Sequence, residues 1–180
     1  MTGAPVCVRS AFRASAWSSW ASFGAVGSAI AIALPALYRA VGSSMEEGFM
    51  LVFPELVMNG LVANVDFLHL YGPGSLHLLA GWFEIFGVSL VAERSFGLLQ
   101  HVAFVLGLMV LTRPWGRSTS TVVGLSSLLF VLTPVGLQAL AWNGALAFGV
   151  WCVIFGLRAF QNKASVTWAV SGILAGLTLS

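Results

Sequence analysis

A chain of 180 residues that is 58% apolar and only 8% charged departs from soluble domains, where roughly a quarter of residues are charged. Six acids and eight bases are too few to solvate a folded surface of this length, whereas a lipid-facing surface needs none. The net charge of +2 lacks the strongly basic face that nucleic acid requires, so no nucleic-acid partner is expected.

The charges are segregated along the chain. Every acid (Glu46, Glu47, Glu55, Asp66, Glu84 and Glu93) falls between residues 46 and 93. Every base (Arg9, Arg13, Arg39, Arg94, Arg113, Arg117, Arg158 and Lys163) falls outside that window. Cys7 lies in a polar tail and Cys152 in an apolar run, so no disulfide is expected.

In chain order, residues 1–18 read as a loose cytoplasmic tail. Ser19–Tyr38 is long and apolar enough for a first span, which needs about 20 residues. A cleaved signal peptide is the alternative, but Leu37-Tyr38-Arg39-Ala40 lacks the small residues of a cleavage site. Next comes a loop over residues 41–94. Ser43 and Ser44 are placed to cap a helix whose first turn carries Glu46 and Glu47. Pro54 should bend or restart that helix, and Gly60 should stop it. The link Leu61–Phe67 leads to Tyr71-Gly72-Pro73-Gly74, a tight turn that launches a second helix. In that helix, over Gly74–Leu90, His77, Gly81 and Glu84 share one face and apolar residues cover much of the rest. Such a helix suits the membrane surface, polar stripe toward water.

Further spans are expected at Ser95–Thr112, Ser120–Leu140 (interrupted by Pro134), Ala145–Phe160 and Val166–Leu179. The basic turn Arg113–Arg117 and the pair Arg158 and Lys163 mark cytoplasmic ends. With Arg9 and Arg13 also inside, the loop 41–94 becomes extracytoplasmic, and Arg39 and Arg94 border the outer face. The competing arrangement makes Gly74–Leu90 a span and puts the later bases outside. The expected fold is all-α, a polytopic transmembrane bundle of about five spans with two interfacial helices in the first outer loop. Residues 19–180 read as the N-terminal part of a longer membrane-embedded domain, because the last apolar run is still in progress at Leu179.

The loop has an ordered set of features: Glu46-Glu47-Gly48, an apolar helix, Gly60, Asp66-Phe67, Tyr71-Gly72-Pro73-Gly74, a second helix, Phe86-Gly87 and Arg94. This order, with the first span before it and the basic turn after it, resembles the first outer loop of GT-C membrane glycosyltransferases. Protein O-mannosyltransferases and lipid A aminoarabinose transferases are members of that superfamily. The resemblance implies an enzyme of the bacterial plasma membrane that takes a sugar from a polyprenyl-phosphate donor. The sugar would go to an acceptor glycan, lipid or protein on the extracytoplasmic face. Two departures stand out. Glu46-Glu47 replaces the more usual Asp-Glu, and the second outer loop, Gln138–Gly144, contains no acid.

The resemblance also implies roles. Glu46, Glu47 and Asp66 are the expected catalytic acids, and Glu47 is favoured as general base because Gly48 leaves room beside it. His69, Tyr71 and Arg94 are the expected substrate-binding residues, with Arg94 facing the lipid phosphate. Bound by two of the carboxylates, a divalent cation stays open as a cofactor. No spacing of His, Cys and acids marks a zinc site. Plainer roles compete: Glu46 and Glu47 as helix-end charges, Asp66 as a turn residue bonding its own backbone. Two other functions also compete: a non-catalytic membrane subunit, and a secondary transporter, which should carry charges near mid-membrane.

Overall fold

The computed structural model describes residues 16–40, 42–162 and 165–179. Arg9, Arg13, Lys163 and Cys7, used above for orientation and redox state, lie outside the described residues. The described chain is all-helical, with α1 (Ala16–Arg39), α2 (Ser44–Met58), α3 (Pro73–Phe86), α4 (Leu90–Thr112), α5 (Arg117–Val135), α6 (Ala141–Asn162) and α7 (Ser165–Leu179). A single 3-10 turn, Arg113–Trp115, joins α4 to α5.

Three stretches are long and apolar enough to cross a membrane: Trp20–Arg39, Leu90–Trp115 and Ala141–Gln161. They mark the chain as a membrane protein. Large apolar side chains such as Ile32, Leu129, Phe130, Phe160 and Ile173 point away from the packed interior. Exposed apolar surface on that scale is unfavourable in water and natural in lipid. Two further apolar helices, Arg117–Thr133 and Ser165–Leu179, are shorter.

Helix α4 is the axis of the structure and packs against α1, α2, α3, α5 and α6, while α7 packs on α6. One core joins Val26 of α1, Val105 and Met109 of α4 and Leu128 of α5. A second joins Met50 of α2, Leu79 and Phe83 of α3, Ala92 of α4, and Ala139 and Leu140 of the α5–α6 connection. The second core explains why α2 and α3 stay with the bundle. Leu76, Leu79, Ala80 and Phe83 form one buried stripe, and each large side chain so buried contributes roughly 1.5–3 kcal/mol. His77 and Glu84 are exposed and flank this stripe on one side of α3.

Several boundaries differ from those expected. Ser43 does precede α2, but its hydroxyl makes no cap bond; its carbonyl serves instead, accepting from the Glu47 N–H at 3.0 Å. Pro54 is accommodated within a continuous helix. The end of α2 is a Schellman closure. Leu61 N–H bonds the Leu56 carbonyl and Gly60 N–H bonds that of Val57, with Gly60 at φ +87°. Helix α4 starts five residues before the expected Ser95, because the Ser89 hydroxyl accepts from Ala92 N–H at 3.1 Å and caps it there. Glu93 and Arg94 are therefore helical. Helix α5 stops at Val135, since Gly136 turns the backbone to φ +65°. Its successor α6 begins already at Ala141, so Trp142, Asn143 and Gly144 belong to a helix and not to an outer loop.

The connection between α5 and α6 lies directly on α4. A Cβ at Gly97 would stand 1.9 Å from the Leu137 carbonyl oxygen, so only glycine permits this approach. Leu137, Gln138, Ala139 and Leu140 are all buried there.

Candidate functional site

Helix periodicity separates the two acids of α2. Glu47, Met50 and Pro54 recur at three- and four-residue intervals and form the buried stripe of the helix. Glu46 is about 100° further round, on a stripe with Phe49 and Phe53. Adjacent carboxylates thus enter different environments.

Glu47 faces α4 and pairs with Arg94. The Arg94 Nε donates to Glu47 Oε1 at 2.9 Å, and Arg94 Nη2 lies 2.7 Å from the same oxygen. Arg94 Nη1 donates to the Tyr38 carbonyl at 2.6 Å. The Tyr38 hydroxyl in turn bonds Ser95 Oγ at 2.8 Å. The end of α1, the start of α2 and the start of α4 are joined through this pair. The side chains are only 7% and 12% exposed, so each charge is largely removed from water and leans on the other. A cavity of about 220 Å³ lies beside the pair, lined by Ser43, Thr133, Gly136 and Leu137 among others.

Two residues that the sequence did not single out complete this layer. Glu93 is fully buried, and its Oε1 accepts from Ala139 N–H at 2.6 Å. The Gln138 Nε2 donates to the Ser43 carbonyl at 3.2 Å. Both bind the α5–α6 connection to the helix starts around it. Their signal in sequence is weak: an acid beside Arg94 at a span entrance, and a glutamine within an apolar run after Gly136.

Glu46 faces a different space, a cleft of about 160 Å³ between α2 and the 68–71 segment, also lined by Phe49, Phe53, His69 and Tyr71. Phe49 and Phe53 stack with centroids 5.1 Å apart. His69 stands edge-on to Phe53 at 5.4 Å and to Tyr71 at 5.9 Å. Its backbone N–H donates to Asn64 Oδ1 at 3.0 Å, which holds the segment in place. Asn64 adopts φ +64°, a conformation asparagine tolerates better than most residues. The imidazole is 5% exposed, and neither ring nitrogen has a hydrogen-bond partner. Burial lowers its pKa from the ordinary histidine value, so the ring is neutral at neutral pH.

Asp66 is exposed and closes its own loop: Oδ2 accepts from Val62 N–H at 2.7 Å, and its N–H donates to the Val62 carbonyl. It lines neither cavity. Among the expected site residues, Glu47 and Arg94 bind one another, Glu46, His69 and Tyr71 share a cleft, and Asp66 lies apart. Among the described residues, no group of three or more His, Cys, Asp or Glu side chains is placed to hold a metal ion.

Tyr71 also borders an apolar groove of about 420 Å³. The groove runs from Tyr71 and Ser75 past Phe96 and Leu99 of α4 and Phe148 of α6 to Leu177 of α7. Tyr71 therefore lines both the polar-lipped cleft and the apolar groove. No protein family, curated protein or solved structure matches the chain.

Proposed function

We propose that this chain belongs to a glycosyltransferase that moves a sugar from a polyprenyl-phosphate donor to an acceptor on the extracytoplasmic face of a membrane. In this reading α1, α4, α5, α6 and α7 span the bilayer, and α2 and α3 lie along its outer surface. One observation carries the reading: Tyr71 lines both the cleft that Glu46 borders and an apolar groove of about 420 Å³ between the helices. A polyprenyl chain needs an apolar seat, and its phosphate and sugar need a polar exit beside a base. The first-loop resemblance supports the same assignment.

The chemistry follows from the placement of the acids. A carboxylate takes the acceptor hydroxyl proton while that oxygen attacks the anomeric carbon. The bond from that carbon to the phosphate oxygen breaks, and polyprenyl phosphate leaves with the electron pair. Glu46 is the better base of the two, although Gly48 had favoured Glu47. Glu46 opens to the cleft, whereas Glu47 is engaged by Arg94. Glu47 and Arg94 position α2 on α1 and α4. Positioning of the two substrates supplies much of the rate in such a reaction.

The test is transfer by the full-length protein in nanodiscs containing polyprenyl-phosphate hexoses, read as released polyprenyl phosphate. Glu46→Gln keeps shape and removes basicity, so turnover should fall by roughly a hundredfold or more, with donor affinity retained. A non-catalytic subunit shows no transfer at all. If transfer occurs and neither Glu46→Gln nor Glu47→Gln changes it more than a few fold, the acids are helix-end charges and the mechanism is wrong.

A further inference from the structure

The link between α2 and α3 carries apolar side chains at positions where a water-facing loop carries polar ones. Val65 is 79% exposed, Leu68 76% and Leu70 78%, with Leu61 and Val62 exposed beside them. The packing of the link produces this pattern. From Phe67 to Leu70 the side chains follow the alternation of an extended segment. Phe67 stacks on Phe53 with centroids 5.3 Å apart, and His69 stands edge-on to the same ring. Leu68 and Leu70 are thereby turned outward, and both are leucine.

Contact with lipid also requires backbone groups to be satisfied without water, and the link meets that requirement. The Leu61 N–H bonds the Leu56 carbonyl, and those of Val65 and Asp66 bond the Val62 carbonyl. The Asn64 N–H bonds the Phe67 carbonyl at 2.7 Å. Val62 N–H donates to Asp66 Oδ2 and His69 N–H to Asn64 Oδ1. The polar side chains of the link are thus turned to its own backbone, and apolar groups form its outer surface.

The link ends at Tyr71, which lines the apolar groove together with Phe96 and Leu99 of α4. Leu99 is itself exposed and belongs to the membrane-length stretch Leu90–Trp115, so the link adjoins surface suited to lipid. We propose that residues 61–70 insert shallowly into the bilayer leaflet beside the start of α4. Val62, Val65, Leu68 and Leu70 then sit among headgroups and upper acyl chains. Asp66 limits the depth, because its exposed carboxylate belongs at the headgroup boundary and is costly further in. With one acid and no Lys or Arg over residues 61–70, the contact is apolar and needs no anionic lipid. A protein partner suits the surface less well, since Asn64 and Asp66 already bond the link's own backbone. This insertion goes beyond α2 and α3 resting on a membrane surface and does not depend on transfer chemistry. Leu68 and Leu70 also line the cleft that Glu46 borders, so insertion holds that cleft at headgroup height.

The experiment places an environment-sensitive dye on Val65→Cys or Leu68→Cys in full-length protein with Cys7 and Cys152 replaced by serine. The protein is held in phosphatidylcholine nanodiscs. Quenchers are lipids spin-labelled near the headgroup or near the chain end, and iodide in the water. Val153→Cys, at an exposed position within Ala141–Gln161, is the deep reference. Both link positions should emit at shorter wavelength than the dye in buffer. The headgroup-proximal label should quench them at least roughly twice as strongly as the chain-end label, with the order reversed at Val153. Exchanging part of the phosphatidylcholine for phosphatidylglycerol should leave that quenching within roughly twofold. Val62→Ser combined with Val65→Ser should lower lipid quenching at Leu68→Cys by roughly half or more.

Long-wavelength emission with strong iodide quenching at both link positions overturns the proposal. So does short-wavelength emission that neither lipid label quenches, the mark of a protein cover. Quenching that appears only with phosphatidylglycerol, or that the two serines leave unchanged, contradicts an apolar contact and overturns it as well. Should the serine pair not fold, the labels at Val65 and Leu68 decide alone.

Discussion

Breaking the Glu47–Arg94 pair from one side should destabilise the bundle far more than removing it from both. Arg94→Met leaves Glu47 with 12% side-chain exposure and without the two donors that now reach Oε1. An uncompensated buried charge of this kind costs about 3–5 kcal/mol. Glu47→Met should cost less, because Arg94 keeps its bond to the Tyr38 carbonyl. The double variant places apolar groups against one another and should recover most of the loss, giving a coupling energy of about 2 kcal/mol or more. The assay is a double-mutant cycle of unfolding free energies in mixed micelles, with helicity followed by circular dichroism. Two single effects that add to within about 0.5 kcal/mol would show that the side chains do not depend on one another. The structural account of how α2 is anchored would then fail.

Two further outcomes follow from particular positions. Gly97→Ala sets a Cβ 1.9 Å from a backbone oxygen of the α5–α6 connection and should destabilise by about 3 kcal/mol or more. At Gly24, by contrast, an added Cβ meets nothing within 4 Å, so alanine there should be neutral or stabilise by up to ~1 kcal/mol. Equal melting of the two variants would refute the close approach. His69 has a folded pKa below its ordinary 6.5, so its protonation favours the unfolded chain. Its contribution is fully present above about pH 6.5 and is lost as pH falls from there toward the folded value, at no more than about 1.4 kcal/mol per pH unit. His69→Gln should remove that part of the acid-side slope in unfolding measurements, and an unchanged slope would contradict the burial argument.

Much of the architecture was legible locally because its causes are local. Apolar runs near the length of a bilayer gave α1 and α4, and the Gly72-Pro73 turn started α3 where expected. Gly60 closed α2 through its own backbone conformation. The face of α3 carrying His77 and Glu84 could also be recognised, since helix periodicity is a property of neighbouring residues. Boundaries were less legible where a competing local signal acted. The Ser89 cap pulled the start of α4 back past Glu93 and Arg94, and Gly136 ended α5 before its apolar run was exhausted.

The candidate site divides along the same line. Sequence alone determined that the acids cluster between residues 46 and 93, that two of them head a helix, and that His69 and Tyr71 precede the next helix. It could not rank Glu46 against Glu47. That distinction depends on which stripe of α2 meets α4, and Arg94 is 47 residues away from its partner. Tertiary packing also decided the roles of Glu93 and Gln138, whose partners lie on segments 46 residues and 95 residues distant. It enclosed His69 between Phe53 and Tyr71, whereas Asp66 closes onto Val62 only four residues away, the local turn role already open in the sequence. The physical reason is common to all these cases. Periodicity and turn chemistry act over a few residues, whereas burial and charge pairing depend on the surfaces that folding brings into contact.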